Sequence, residues 1–142
     1  MTTVSTAQAH WEGSLMEGAG RVDLVTSGVA SLDVKWASRA QAGAGTTNPE
    51  ELIAAAHSTC YSMALSHALA GNGTPPESLD TKVEVTFQPG VGITGSHITV
   101  VGRVPGLDEA GFLTFAQDAK ANCPVSKALG GVPITLDASF AG

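Results

Sequence analysis

Positive charge is scarce in this chain. Seven Lys and Arg stand against thirteen Asp and Glu in 142 residues, a formal net charge of −6. A basic stripe is what nucleic acid or anionic lipid would require, so neither is an expected partner. Cysteine is scarcer still, with two residues, and one disulfide in a chain of this length would not be a secreted scaffold. No apolar run follows Met1, and residues 1–8 are mostly polar, so no secretory leader is read and the cytoplasm is the expected compartment. Repeats, low-complexity tracts and long linkers are missing too. Residues 1–142 are therefore read as a single domain, long enough to bury a core. Two thiols in a cytoplasmic protein then need a reason, either as small core hydrophobes or as reagents.

What is present is a long helix signal over residues 48–71. Asn48 is a good cap, Pro49 suits the first helical position, and Glu50 and Glu51 put negative charge at the positive end of the dipole. Glu51 stands three residues after the cap, as in a capping box. Gly71, followed by Asn72-Gly73 and Pro75-Pro76, ends the segment. Apolar and small residues go nearly all the way round, which predicts a helix covered on every side. At roughly 33 Å it has the length of a membrane span, but two glutamates and two histidines among short side chains argue against one.

Around it the pattern is of strands. Residues 7–12, 20–27 and a run containing Leu32, Val34 and Trp36 alternate with period two, and read as an antiparallel meander. Ser38–Thr47 is read as a small-residue loop carrying Arg39. Val83, Val85 and Phe87 mark a further strand, residues 93–104 its returning partner, and Ile134, Leu136, Ala138 and Phe140 a closing strand. A second helix opens at Leu107-Asp108-Glu109 with Asp108 as cap, and must kink or break at Pro124. The order βββ-α-ββ-α-β gives an α+β fold with mainly antiparallel sheet.

The chemistry-bearing candidates lie on the two helices. Cys123 precedes Pro124, so its sulfur could sit at the start of a new helical turn, where unpaired N–H groups favour thiolate. Asn122 is the rival cap. Cys60 lies mid-way along the first helix. If the helices pack together, the two thiols could face each other and cycle between dithiol and disulfide. A nearby cation would help ionise a thiol, and Arg39 leads into this helix. Glu50 lies about 80° round the helix from Cys60 and could hold the guanidinium by a bidentate pair. The bland alternatives are a Glu50 that only caps and an Arg39 that is a solvated loop charge.

The segments Thr47-Asn48-Pro49-Glu50-Glu51-Leu52, Ala55-Ala56-His57, Cys60-Tyr61-Ser62-Met63-Ala64-Leu65-Ser66 and Asn122-Cys123-Pro124-Val125-Ser126 resemble the OsmC/Ohr family. These are the osmotically inducible protein C and organic hydroperoxide resistance proteins. Ala9-His10-Trp11-Glu12-Gly13 and Ile134-Thr135-Leu136-Asp137 extend the likeness over almost the whole chain, closer to the OsmC branch. The resemblance implies an intertwined homodimer with antiparallel sheets around two central helices. It also implies a thiol peroxidase acting on organic hydroperoxides with an external dithiol reductant, and needing no flavin, haem or metal. Cys60 matches the peroxidatic cysteine, Cys123 its resolving partner, Arg39 and Glu50 the arginine and its anchoring carboxylate, and Glu51 a supporting acid. The stretch between Arg39 and Asn48 is one residue longer than the family pattern.

Ile53, Met63 and the phenylalanines of the second helix are expected to wall Cys60. His57 and His67 share roughly its face of the helix. A Cys2His2 zinc site or a cysteine hydrolase could be imagined from them, but their spacing fits a helix-packing role better. His10 and His97 fall in strand patterns. Two other classes stay open beside the peroxidase. One is a non-catalytic small-molecule-binding dimer with structural cysteines, and the other a metal-binding or redox-sensing module.

Overall fold

A computed structural model describes residues 1–142. The chain divides into two compact units, Met1–Leu52 and Ile53–Gly142. No helix is long and apolar enough to cross a membrane.

In the first unit, β1 (Ala7–Glu12), β2 (Ala19–Leu24) and β3 (Ser31–Val34) form an antiparallel meander in the order β1-β2-β3. Ala9 faces Val22 and Val22 faces Leu32 in register, as the alternating pattern requires. Every residue of β1 is exposed, whereas alternate residues of β2 and β3 are half-buried. One sequence expectation fails here. Trp36 does not continue the third strand but opens a short helix, α1 (Trp36–Ala40), with Arg39 in its last turn. Ala37, Arg39 and Ala40 are good helix formers, and they outweigh the strand-like spacing of Leu32, Val34 and Trp36. The loop proper is shorter, and its Gly43 and Gly45 take positive φ.

Helix α2 (Pro49–Gly71) begins at the end of this unit and continues into the second. The cap expected at Asn48 is formed, its Oδ1 accepting the Glu51 N–H at 2.7 Å. The reciprocal half of the box differs, because Glu51 accepts instead from the Thr47 hydroxyl at 2.6 Å. Asn48 also donates from Nδ2 to the Ser38 carbonyl, which ties α1 to the start of α2.

The second unit holds β4 (Ser78–Gln88), β5 (Gly92–Arg103) and β6 (Ile134–Phe140) in the order β4-β5-β6, with α3 (Glu109–Asn122) and α4 (Pro124–Ala128) between β5 and β6. β4 and β5 are an antiparallel hairpin with a register shift at Thr86/Phe87, whereas β6 runs parallel to β5. A parallel neighbour needs a crossover, and α3 with α4 supplies it. Asp108 caps α3 as expected, accepting the Gly111 N–H at 2.8 Å.

The core is built where three stripes meet. His57, Tyr61, Leu65 and Leu69 recur every four residues on α2. Ser96, Ile98 and Val100 alternate on β5, and Phe112, Ala116 and Ala119 line α3. Full burial of each large apolar side chain contributes roughly 1.5–3 kcal/mol. Contrary to the expectation of a helix covered all round, Ala55, Ala56, Thr59, Met63 and His67 are exposed on the opposite side of α2. Within the second unit the buried residues of α2 all lie on one side of it.

Candidate active site

The sequence-derived candidates fall into two groups. In the first unit, Arg39 donates from Nε to Glu50 Oε1 at 3.0 Å. Glu50 is almost fully buried while Arg39 is about one-third exposed. Glu50 therefore does more than cap, and Arg39 is not a solvated loop charge. The guanidinium contacts the carboxylate through one oxygen, leaving Oε2 buried without a hydrogen bond. Arg39 also lines an apolar cleft of about 280 Å³ with Trp11, Val22, Val34, Trp36 and Leu52. Glu51, the supporting acid of the sequence reading, is exposed and bonded to Thr47.

In the second unit the two thiols, both unoxidised, act on each other. Cys123 is fully buried and Cys60 partly so. Cys123 is the N-cap residue of α4, as its position before Pro124 predicted, and Asn122 closes α3 instead. The Val125 and Ser126 N–H groups reach toward its sulfur, more loosely than a closed capping hydrogen bond. Burial opposes charge on Cys123, yet the Cys60 thiol, both amides and the Ser126 hydroxyl outweigh it and lower its pKa. Burial pushes the Cys60 thiol up, and its donation to Cys123 adds to this, offset in part by the Val125 N–H. The pair thus favours one shared negative charge held on the α4 side.

A groove of about 550 Å³ opens beside Cys60. Of the expected walls only Met63 lines it. Ala64, Ala68, Ala119 and Pro124 are the other apolar contributors, with His67, Asp118 and Asn122. Ile53, Phe112 and Phe115 are not among the lining residues; Phe112 packs inward against Phe140 at 5.6 Å between ring centroids, and Phe115 packs against the core.

Sequence reasoning gave His57 and His67 a helix-packing role, and the structure separates them. His67 is exposed in the groove. His57 is fully buried, with Nδ1 2.8 Å from Ser96 Oγ and Nε2 2.8 Å from Ser126 Oγ. Both ring nitrogens are engaged, so His57 has none free for a metal, and burial lowers its pKa. The sequence reading assigns no role to Ser96, and names Ser126 only as the end of the Asn122-Cys123-Pro124-Val125-Ser126 segment. The spacing of Ser126 three residues after Cys123, within that segment, is the signal that marks it.

Comparison with known proteins covers nearly the whole chain. A family model described as OsmC-like protein matches residues 42–137. Peroxiredoxin OsmC of Escherichia coli (strain K12) is 42% identical over 140 residues, 96% of each chain. An organic hydroperoxide resistance protein of Xanthomonas axonopodis pv. citri (strain 306) is 34% identical over 126 residues, covering 82% of this chain and 86% of its own. Among solved structures, an organic hydroperoxide resistance protein OsmC from Legionella pneumophila superposes with a TM-score of 0.72. It is 26% identical, over 97% of this chain and 99% of that one. With its fold and its sequence in agreement, the chain belongs to the OsmC-like family.

Proposed function

We propose that this chain is a cysteine-dependent thiol peroxidase that reduces organic hydroperoxides, the substrate class in the names of its relatives. The observation that carries the reading is the pairing of two reduced thiols, Cys60 and Cys123, one of them opening on an apolar-lined groove. The reading takes residues 1–142 as one functional domain, because the family match runs across the boundary between the two units. It takes the working form to be a homodimer, which would cover the exposed side of α2 and the exposed strand β1.

The Cys60 thiolate attacks the terminal oxygen of the hydroperoxide. The O–O bond breaks, the alkoxide takes a proton and leaves as the alcohol, and Cys60 becomes a sulfenic acid. The Cys123 thiolate then attacks the Cys60 sulfur, the S–O bond breaks, and the departing hydroxide takes a proton from solvent and leaves as water as the disulfide forms. An external dithiol returns both thiols and is itself oxidised to a disulfide. Burial raises the Cys60 thiol, so its ionisation needs a cation, and this is the role of Arg39, oriented by Glu50 with Glu51 in support.

The test is to mix reduced protein with excess cumene hydroperoxide and titrate free thiols. Loss of two thiols per chain is expected, with Cys60→Ser inert and Cys123→Ser stopping at sulfenic or sulfinic acid. Retention of both thiols, or full turnover by Cys60→Ser, would overturn the assignment. Comparable rates for cumene hydroperoxide and hydrogen peroxide would count against the organic preference.

A further inference from the structure

One buried polar network is not used by the reaction just described. Ser96 of β5, His57 of α2 and Ser126 of α4 form a chain of hydrogen bonds, 2.8 Å at each side of the imidazole, and the Ser126 hydroxyl at its end is one of the groups that favour the Cys123 thiolate. All four residues are at least nine-tenths buried, in a core otherwise lined by Leu, Val, Ile and Phe. A polar chain in such a place has a direction, because each hydroxyl has one proton to give.

The direction follows from the sulfur. If Ser126 donates its only hydroxyl proton to a Cys123 thiolate, its oxygen must accept from His57, which fixes the Nε2–H tautomer. Nδ1 is then an acceptor, and Ser96 fills it by donating. In the opposite direction Ser126 would donate to Nε2 and have nothing left for the sulfur. The Ser96 backbone N–H is separately bound to the Pro133 carbonyl at 3.0 Å, so the strand anchors the far end of the chain.

We propose that His57 is a positioning residue for Cys123. Anchored by Ser96, it gives its Nε2–H to Ser126 and so commits the Ser126 hydroxyl to the Cys123 thiolate. It touches neither peroxide nor either sulfur, and acts through Ser126 alone. The consequence is specific to one half-reaction. A better-ionised Cys123 attacks the Cys60 sulfenic acid sooner, before a second hydroperoxide can oxidise it to the sulfinic acid. This consequence rests on the peroxidase reading, whereas the polarisation of Cys123 does not.

The experiment follows the thiolate itself. In a Cys60→Ser background Cys123 is the sole thiol, and its ionisation is read by absorbance near 240 nm against pH. The other groups facing the pair are Tyr61 of α2, the Val125 amide, and, on the groove side, His67 of α2 and Asp118 of α3. Tyr61 is the chain's one tyrosine, and burial followed by the charge of Cys123 raises its pKa out of the working range. His57→Leu and Ser126→Ala are each expected to cut the thiolate population in the rising part of the curve about fivefold. The two together should cut it no further, while His57→Gln, which keeps a donor, should restore most of it. Ser96→Ala should act in the same direction more weakly, and provides a readout if His57→Leu fails to fold. With Cys60 intact, His57→Leu should also show more sulfinic acid at Cys60, by mass spectrometry, at a fixed hydroperoxide dose. An unmoved Cys123 titration in the folded variants would overturn the proposal. A shifted titration in a protein that consumes no hydroperoxide would sustain it and overturn the peroxidase reading instead.

Discussion

The Tyr61 hydroxyl donates to the Ala116 carbonyl at 3.0 Å, a bond between α2 and α3 made entirely inside the core. It lies one residue after Cys60 on α2 and within two turns of Cys123, which follows the end of α3. The phenol therefore ties α2, which carries Cys60, to α3, which ends at the residue before Cys123. Tyr61→Phe keeps the ring and removes one neutral hydrogen bond, so a loss of about 1 kcal/mol in stability is expected. Urea unfolding at pH 7 measures it. A slower rate of disulfide formation in the folded variant, read by thiol titration, is the expected companion.

A close approach on the other side of the core gives a second prediction. Gly102 of β5 lies beneath the Phe112 ring, and a Cβ at that position would stand 2.2 Å from a ring carbon. The same ring packs on Phe140 of β6, so it cannot simply move away. Gly102→Ala should cost about 1–3 kcal/mol by overpacking. Phe112→Leu in the same chain should recover part of that loss, although alone it is destabilising. Non-additive midpoints in a denaturant series of the three proteins would establish the contact.

Much of this architecture is legible in the residues. Asn48-Pro49-Glu50-Glu51 specifies where α2 starts, and Asp108 where α3 does, because caps act through bonds within three residues of themselves. The alternation of Ile134, Leu136, Ala138 and Phe140 shows a strand but not its neighbour, so the parallel pairing of β6 with β5 was open. Trp36 misled because a strand-like spacing ran into a short stretch of helix formers. The same limit governs the site. Cys60, Cys123, Arg39 and Glu50 stood out by chemistry or by likeness, whereas Ser96 lies 39 residues from His57 and Ser126 lies 69. No local periodicity connects such residues, and only the packed core brings them to one imidazole.

The Arg39–Glu50 pair allows its structural and chemical roles to be separated. Removing the guanidinium leaves a nearly buried carboxylate whose second oxygen already has no hydrogen bond. Arg39→Ala is therefore expected to destabilise, and Arg39→Ala with Glu50→Gln to regain much of that stability, because the uncompensated charge is gone. If the guanidinium also ionises Cys60, the double variant should stay slow with cumene hydroperoxide, by roughly a hundredfold, despite its recovered melting temperature. Stability and rate that recover together would leave the pair with a structural role alone.

The last prediction concerns acid. Burial holds His57 below its ordinary value of 6.5, the value it regains on unfolding. Between its folded pKa and 6.5 the unfolded chain binds the proton more readily than the folded one, so stability rises with pH across that window. The contribution is complete above 6.5 and is lost as pH falls below it, at up to about 1.4 kcal/mol per pH unit for a single proton. Urea unfolding at pH 7.5, 6.5, 6.0 and 5.5 should show this slope in the parent protein. His57→Gln cannot titrate, and should flatten the profile by that amount while the other three histidines remain in place. An equal slope in the two proteins would mean that His57 protonates in the folded core as easily as in water.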